Sequence, residues 1–441
     1  FTQFANALND RFALELTPTL FFEHPTLDGL AGHLAAAESA RMAAALGVAA
    51  TVADKPAPAP APKPTPQPAP QPMPKPAMAS DTPRDAVAII GMSGVLPGAA
   101  DVDAFWHNLV EGRDCIGEIP PERWDWRAVW GDPVKEPGRT NVKWGGFIDG
   151  IGAFDAGFFG LSAPEARMMD PQQRLLLTQA WRVIEDAGYA PRSLSGTRTG
   201  VFVGIADTGY GRLAAASGAA VEGYAMTGLA PSLGPNRISY FLNLHGPSVA
   251  VETACSSALV AIHRAVEAIR SGGCDTAIAG GVNTLLLPDS FIGFSRAGML
   301  SPDGRSKPFS DAANGYARGE GLGLVFLKRL ADAERDGDRI LAVVRASAEN
   351  HGGRAGSLTA PNPKAQAELL RTAYRQAGFD PRTVSYIEAH GTGTKLGDPI
   401  EVEGLRTAFA DLTKEAEAEY GPGVAMACGI GSVKSNIGHL E

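Results

Sequence analysis

The sequence predicts an α/β fold with buried sheets, and three features carry that reading. Short apolar runs occur at Val87-Ala-Ile-Ile90, Gly200–Gly204, Val249–Val251, Ala277–Ala279, Leu324–Leu327, Ile340–Val344, Val384–Ile387 and Gly429–Val433. Their length and continuous hydrophobicity fit strands covered on both faces. Between several of them lie stretches with apolar residues every three or four positions: Pro171–Ala187, Ser257–Ser271, Pro363–Ala377 and Pro399–Ala410. These are expected to be helices, and strands alternating with helices argue for a layered α/β domain. Glycine accounts for 52 of the 441 residues and gathers at strand ends, where tight turns and close backbone approach need it.

Composition narrows the function classes. The chain is 44% hydrophobic and 20% charged, enough apolar material for a large core. Its formal net charge of −9, with no long basic block, argues against nucleic-acid binding. Cys115, Cys255, Cys274 and Cys428 form no Cys-x-x-Cys pair, so neither a disulfide framework nor a zinc site is expected. A reducing cytoplasm is the matching compartment. No apolar run reaches membrane length and no signal-peptide pattern opens the sequence. Both ends read as cut. The first residue, Phe1, falls inside an amphipathic pattern, and the last six, Asn436-Ile-Gly-His-Leu-Glu441, stop inside a motif, so a fragment of a longer polypeptide is expected.

Three regions follow along the chain. In residues 1–36, Phe4, Leu8, Phe12 and Leu16 share a helical face, and Thr26 is placed to cap a helix running through Leu27 and Leu30 to Leu34. Residues 37–84 form an Ala/Pro-rich linker; positions 51–80 hold 11 of the 33 prolines. Such a tether favours polyproline II and, at ~3.1 Å per residue, its core spans on the order of 60 Å. Residues 85–441 carry the α/β pattern.

The chemistry concentrates at strand ends. Cys255 stands where the Val249–Val251 strand turns into the helix bearing Leu259, Ile262, Val266 and Ile269. A helix N-terminus there would favour the thiolate, the nucleophilic form of cysteine; a small buried cysteine is the plainer reading. Ser256 and Ser257 are expected to cap that helix. His390 lies in Glu388-Ala-His-Gly-Thr-Gly-Thr-Lys-Leu-Gly-Asp398, beyond the Val384–Ile387 strand. Its Gly-Thr-Gly-Thr run would suit a phosphate but lacks the spacing of a nucleotide-binding loop. Lys434 and His439 lie in Lys434-Ser-Asn-Ile-Gly-His439 beyond another strand, and Arg318 and Glu320, a candidate ion pair, sit among small residues in Gly315–Gly321. A lone loop histidine is usually structural. One cysteine and two histidines, each at a strand end, are harder to dismiss.

These motifs, Thr-Ala-Cys255-Ser-Ser, Glu-Ala-His390-Gly-Thr-Gly-Thr and Lys434-Ser-Asn-Ile-Gly-His439, resemble the active-site motifs of β-ketoacyl synthases, most closely the ketosynthase domains of modular type I polyketide synthases. The likeness runs from Asp85 to Glu441 and includes Asp170-Pro-Gln-Gln-Arg174, Asn236-Arg-Ile-Ser-Tyr240 and the segment from Met299 to Gly321. It implies a thiolase-like layered α/β fold, truncated at its C-terminal end. Residues 1–36, with Thr17-Pro-Thr-Leu-Phe-Phe-Glu-His-Pro-Thr26, are similar to the last helices of an acyl carrier protein whose phosphopantetheinylated serine would precede Phe1. Glu252 and Asn314 stand where related sequences commonly have Asp.

The resemblance implies an acyltransferase of polyketide, and hence antibiotic-type, biosynthesis within a multifunctional enzyme. Cys255 would carry the growing acyl chain, and His390 and His439 would donate hydrogen bonds to the enolate left by decarboxylation of a malonyl-type extender. Lys434 would organise the histidines, with Glu320 as its partner. The Cys255 N–H would form half of a second oxyanion hole, completed by a loop beyond Glu441. No cofactor or metal is implied in the ketosynthase itself; substrates would ride on the 4'-phosphopantetheine of upstream and downstream acyl carrier proteins. A homodimer and an acyltransferase, in cis or in trans, are the further partners implied, with neither nucleic acid nor membrane. A non-elongating ketosynthase and a fatty-acid type synthase are the alternatives. The intact His390 speaks against the first and the Pro-rich tether against the second.

Overall fold

A computed structural model describes residues 8, 11–12, 14, 27–37, 86–218, 223–357, 360–423 and 426–441. They fall into two compact units, one of residues 1–80 with 351–366, the other of residues 81–350 with 367–441. In the first, helix α1 (Leu27–Ala37) buries Leu30 and Leu34 against Leu14, with Leu8 and Phe12 packed beside them. Phe4, Leu16, Thr26, residues 38–84 of the expected linker and Asp85 lie outside the described residues.

The second unit is built on a six-stranded mixed sheet. Its strands are β1 (Val87–Val95), β4 (Thr199–Gly204), β5 (Ser248–Val251), β6 (Thr276–Asn283), β8 (Gly321–Arg329) and β9 (Ala342–Val344), in the order β5-β4-β6-β8-β1-β9. β4 runs parallel to β5 and β6, while β8 is antiparallel to β6 and β1. Side chains alternate across the sheet and feed two cores. Val201, Val203, Ile278, Leu324 and Phe326 face helix α2 (Pro171–Asp186), which contributes Leu176, Ala180, Val183 and Ile184. Phe202, Ala277, Ala279 and Leu327 face the opposite layer, where helix α4 (Ser257–Arg270) contributes Ala261, Ala265, Val266 and Ile269. Helix α3 (Leu233–Leu242) packs beside β4 and β5. The α/β expectation holds because runs apolar on both faces need a helix on each side.

α4 sits low on the sheet because Gly204 and Gly281 have no side chain. A Cβ on Gly204 would lie 2.8 Å from the Ala258 nitrogen, and one on Gly281 2.8 Å from the Ala258 Cβ. The helix that follows Cys255 is thereby pressed onto the ends of β4 and β6.

The remaining elements follow the expected order with shifted bounds. Helix α5 (Pro363–Ala377) is as read, whereas helix α6 (Gly397–Tyr420) runs ten residues beyond the expected end at Ala410. Ion pairs Arg371–Asp411 and Arg375–Glu415 join those two helices. β10 (Tyr386–Glu388) pairs in parallel with β11 (Gly429–Gly431), and a short helix, α7 (Lys434–Ile437), follows. The Val384 end of the expected strand is instead the C-cap of a 3-10 turn over Pro381–Thr383.

A small sheet of β2 (Gly117–Glu118), β3 (Trp144–Gly146) and β7 (Arg318–Gly319) has no apolar run to announce it. Its role is to hold main chain. The His439 N–H donates to the Ala317 carbonyl and the Gly319 N–H donates to the His439 carbonyl, both at 2.7 Å. Next along the chain, the fully buried Glu320 carboxylate accepts from Arg123 at 3.0 and 2.8 Å, from the Ile148 N–H at 3.0 Å and from the Leu285 N–H at 2.9 Å. Glu320 is a junction for four segments.

Two stability outcomes follow. Phe326→Ala removes a fully buried ring from β8 and should cost about 3–5 kcal/mol in denaturant unfolding. Glu320→Gln leaves the Arg123 guanidinium buried without a counter-charge and should cost about 3–5 kcal/mol, read as a lowered Tm; an unchanged Tm would show that this junction holds nothing.

Candidate active site

Three segments converge at one end of the large sheet. Ligand-capable atoms of Cys255, His390 and His439 all lie within 4.8 Å of one another. The residues come from the β5–α4 turn, the loop after β10 and the turn after α7. The two imidazole rings meet edge to face, with centroids 5.3 Å apart and planes at 88°.

Cys255 sits in a tight turn rather than inside the helix. Ala254, just before it, has φ of +54°, a left-handed conformation that costs a non-glycine residue about 1–2 kcal/mol. The Ser257 hydroxyl fixes that turn, donating to the Ala254 carbonyl at 2.6 Å and accepting from the Thr253 N–H at 2.8 Å. The Ser256 hydroxyl turns back to the Thr253 carbonyl at 3.0 Å. The two serines brace the nucleophile turn, so the expected capping of α4 is not their role, and the N-cap Ser256 makes no capping bond.

The thiol departs from expectation too. Part of Cys255 is open to solvent, yet the protein packed around its sulfur pushes its pKa up. Its own backbone N–H and the Lys434 charge pull the other way, and Glu441 adds to the rise. The helix starts at Ser257, and desolvation is the largest influence on the thiol.

His390 is anchored through its main chain. The Glu401 carboxylate, from α6, accepts from the His390 N–H at 2.6 Å and from the Gly391 N–H at 2.8 Å. Asp398, one turn earlier, accepts from the Gly393 N–H at 3.1 Å and the Phe309 N–H at 2.7 Å. The amides of the Gly-Thr-Gly-Thr loop are therefore occupied by the protein's own carboxylates, which removes the phosphate reading. Burial and the nearby Lys434 charge lower the pKa of His390, against smaller opposing effects of Glu401 and Asp398.

His439 is 5% exposed. Burial first, then the His390 and Lys434 charges, push its pKa down to about 3. Its Nδ1 accepts the Glu441 N–H at 2.8 Å, which places the ring proton on Nε2. The ring is thus a neutral donor.

Lys434 and Glu320 do not meet as expected. Glu320 is committed to Arg123, and Arg318 forms its ion pair with Glu441, so Arg318 and Glu320 are not partners either. Glu320 lies between β7, which ends at Gly319, and β8, which starts at Gly321, so strand alternation does not bring it onto Arg318. Burial lowers the Lys434 pKa, opposed by the charges of Glu388, Glu401 and Cys255. Among the described residues Lys434 makes no ion pair within 4.0 Å. Glu388, Asp398 and Glu401 are the functional neighbours that sequence reasoning missed. Asp398 and Glu401 do lie three residues apart on one helix, a spacing that puts both on the face toward the loop.

Residues 84–333 match the N-terminal domain of β-ketoacyl synthases, residues 341–441 the C-terminal domain, and residues 1–34 a phosphopantetheine attachment site. The polyketide synthase PksN of Bacillus subtilis (strain 168) is 54% identical over 446 residues, covering 100% of this chain but 8% of that protein. An oxazolomycin ketosynthase domain from Streptomyces albus JA3453 superposes with a TM-score of 0.74 at 44% identity, over 80% of this chain and 60% of that one. The ketosynthase from module 6 of the bacillaene synthase of Bacillus subtilis 168 gives 0.71 at 42% identity, over 80% and 58%. The chain spans a small part of its curated relative and less than two thirds of each structural neighbour. With both ketosynthase halves matched and the thiolase-like layers in place, the chain belongs to the β-ketoacyl synthase family.

Proposed function

We propose that the second unit elongates a polyketide by decarboxylative Claisen condensation, with Cys255, His390 and His439 as the reacting set. The observation that carries this reading is a cysteine beside two imidazoles that are disfavoured as cations, one of them holding its proton on Nε2. Such a pair donates hydrogen bonds where negative charge develops, without consuming the nucleophile's neighbour as an acid.

The steps balance as follows. The Cys255 thiol gives up its proton to the departing pantetheine thiolate and takes the acyl group as a thioester, whose carbonyl stays electrophilic. A malonyl-type extender on a second acyl carrier protein loses CO2. The electron pair left behind forms an enolate, whose oxygen is held by His390 and His439. Its carbon attacks the Cys255 thioester, the tetrahedral intermediate expels the Cys255 thiolate, and the β-ketoacyl product leaves on the carrier protein. Lys434 adds its charge to the burial that keeps both rings neutral, and Glu320 anchors the segment whose main chain holds His439. The acyltransferase that loads the extender acts in the same polypeptide or in a separate one.

We further propose that the unit works as a homodimer. β5 is an edge strand of the large sheet, and Val249, Leu259 and Tyr240 around it are 39%, 74% and 89% exposed. A bare apolar edge is a pairing template, and a second copy covers it without introducing charge. The residue boundaries proposed are 1–36 for the carrier-protein tail, 37–84 for the linker and 85–441 for the ketosynthase.

Incubation with an acyl-pantetheine thioester should label Cys255, located by mass spectrometry. His390→Ala should keep that label while condensation falls by about 10²–10³-fold, the usual loss for one oxyanion donor; unchanged condensation removes His390 from the mechanism. In sedimentation velocity the wild-type chain should run as a dimer and the Val249→Asp/Leu259→Glu variant as a monomer, and a monomeric wild type overturns the dimer.

A further inference from the structure

We propose that the Cys255–His390–His439 cluster also captures a soft divalent cation, Zn2+, which blocks the nucleophile reversibly. The proposal goes beyond the condensation reading and stands on geometry alone. One sulfur and two imidazoles lie within 4.8 Å of one another. Sulfur and imidazole nitrogen are the donors zinc prefers over oxygen-seeking Mg2+. The sequence concealed this set because the three ligands come from three separate segments rather than from a Cys-x-x-Cys pair.

A tetrahedral ion sits ~2.3 Å from sulfur and ~2.0 Å from nitrogen, so its donors must close to roughly 3.5 Å of each other. Cys255 and His390 are both exposed and are the side chains that must turn inward, whereas His439 is buried. Binding begins with those two. The Cys255 S–H bond breaks, its proton passes to solvent and the sulfur electron pair forms the Zn–S bond; a ring nitrogen of His390 supplies the second pair. His439 becomes the third ligand only if its proton moves from Nε2 to Nδ1, giving up the bond from the Glu441 N–H. Water fills the remaining positions. No redox change occurs.

The charges around the cluster work in both directions. Lys434 repels a cation, as its effect on both histidines shows. Glu401 and Asp398 act on His390, Glu388 and Glu401 on Lys434, and Glu441 on Cys255, so four carboxylates face two cations, Lys434 and the Arg318 that pairs with Glu441. Capture of the ion occupies the thiol that acylation needs.

Alkylation of Cys255 by iodoacetamide, followed by mass spectrometry on the full chain, reads the site without any condensation. Zn2+ at ten times its Kd should slow alkylation of Cys255 about ten-fold by mass action. EDTA should reverse the effect, equimolar Mg2+ should give none, and His390→Ala should lose most of the protection. Co2+ in place of Zn2+ should produce a thiolate-to-metal absorption band that Cys255→Ser abolishes. An alkylation rate indifferent to Zn2+, or protection that survives His390→Ala, overturns the proposal. A protein that shows zinc protection but does not condense instead sinks only the condensation reading.

Discussion

Burial of His439 beside His390 and Lys434 takes the imidazolium out of this site, and most of the surrounding structure serves that arrangement. A ring packed at 5% exposure with a lysine nearby gives up its proton until about pH 3, so it is neutral wherever the protein works. Neutrality alone leaves the tautomer open. The Glu441 N–H settles it by occupying Nδ1, and the remaining N–H on Nε2 becomes a donor of fixed position. The main chain of His439 is in turn clamped between the Ala317 carbonyl and the Gly319 N–H, and the same strip of chain continues into Glu320 with its four accepted bonds. A buried carboxylate with all its partners in place is costly to disturb. The fixed position of the His439 ring is therefore inherited from a junction built on Glu320 and the main chain around it.

Cys255 presents the complementary case. A helix N-terminus lowers a thiol pKa when the sulfur is solvated and close to the first turn. Here the left-handed Ala254 turns the chain before the helix begins at Ser257, and the surrounding protein desolvates the sulfur. Desolvation disfavours the thiolate more than the neighbouring backbone N–H and Lys434 favour it. Such a thiol is favoured in its protonated form, and the left-handed turn at Ala254 sets its place ahead of the helix.

Much of the fold was legible because its signals are local. The runs at Val87, Gly200, Ala277 and Leu324 are apolar on both faces and became the central strands, and the periodic stretches at Pro171, Ser257 and Pro363 became helices. The small sheet was not legible. Arg318 and Gly319 join it through main-chain bonds that any residue could make, so no side-chain pattern marks it. Motif and resemblance together singled out Cys255, His390 and His439, which the fold brings together, but not their partners. Nothing in the spacing of Arg123, Glu320 and Lys434 says which cation Glu320 meets, because the Arg123 contact joins segments 197 residues apart. The phosphate reading of Gly-Thr-Gly-Thr failed for a related reason, since free loop amides look the same in a sequence whether their anion is a ligand or a carboxylate further along.

That internal anion has a consequence for the site's electrostatics. Asp398 and Glu401 stand in the first turns of α6, where a helix N-terminus already favours negative charge, and they spend it on the backbone of the loop carrying His390. Glu388 does the same for the other loop, accepting from the Val433 N–H at 2.8 Å immediately before Lys434. Glu388 and Glu401 thus perform two tasks, fixing a loop by hydrogen bonds and offsetting the Lys434 charge, while the Asp398 charge acts on His390. If the loops were held by neutral amides instead, the ammonium would be uncompensated and would shed its proton more readily on burial. The site keeps a charged lysine next to two neutral imidazoles because the groups that shape its loops are the groups that balance its charge.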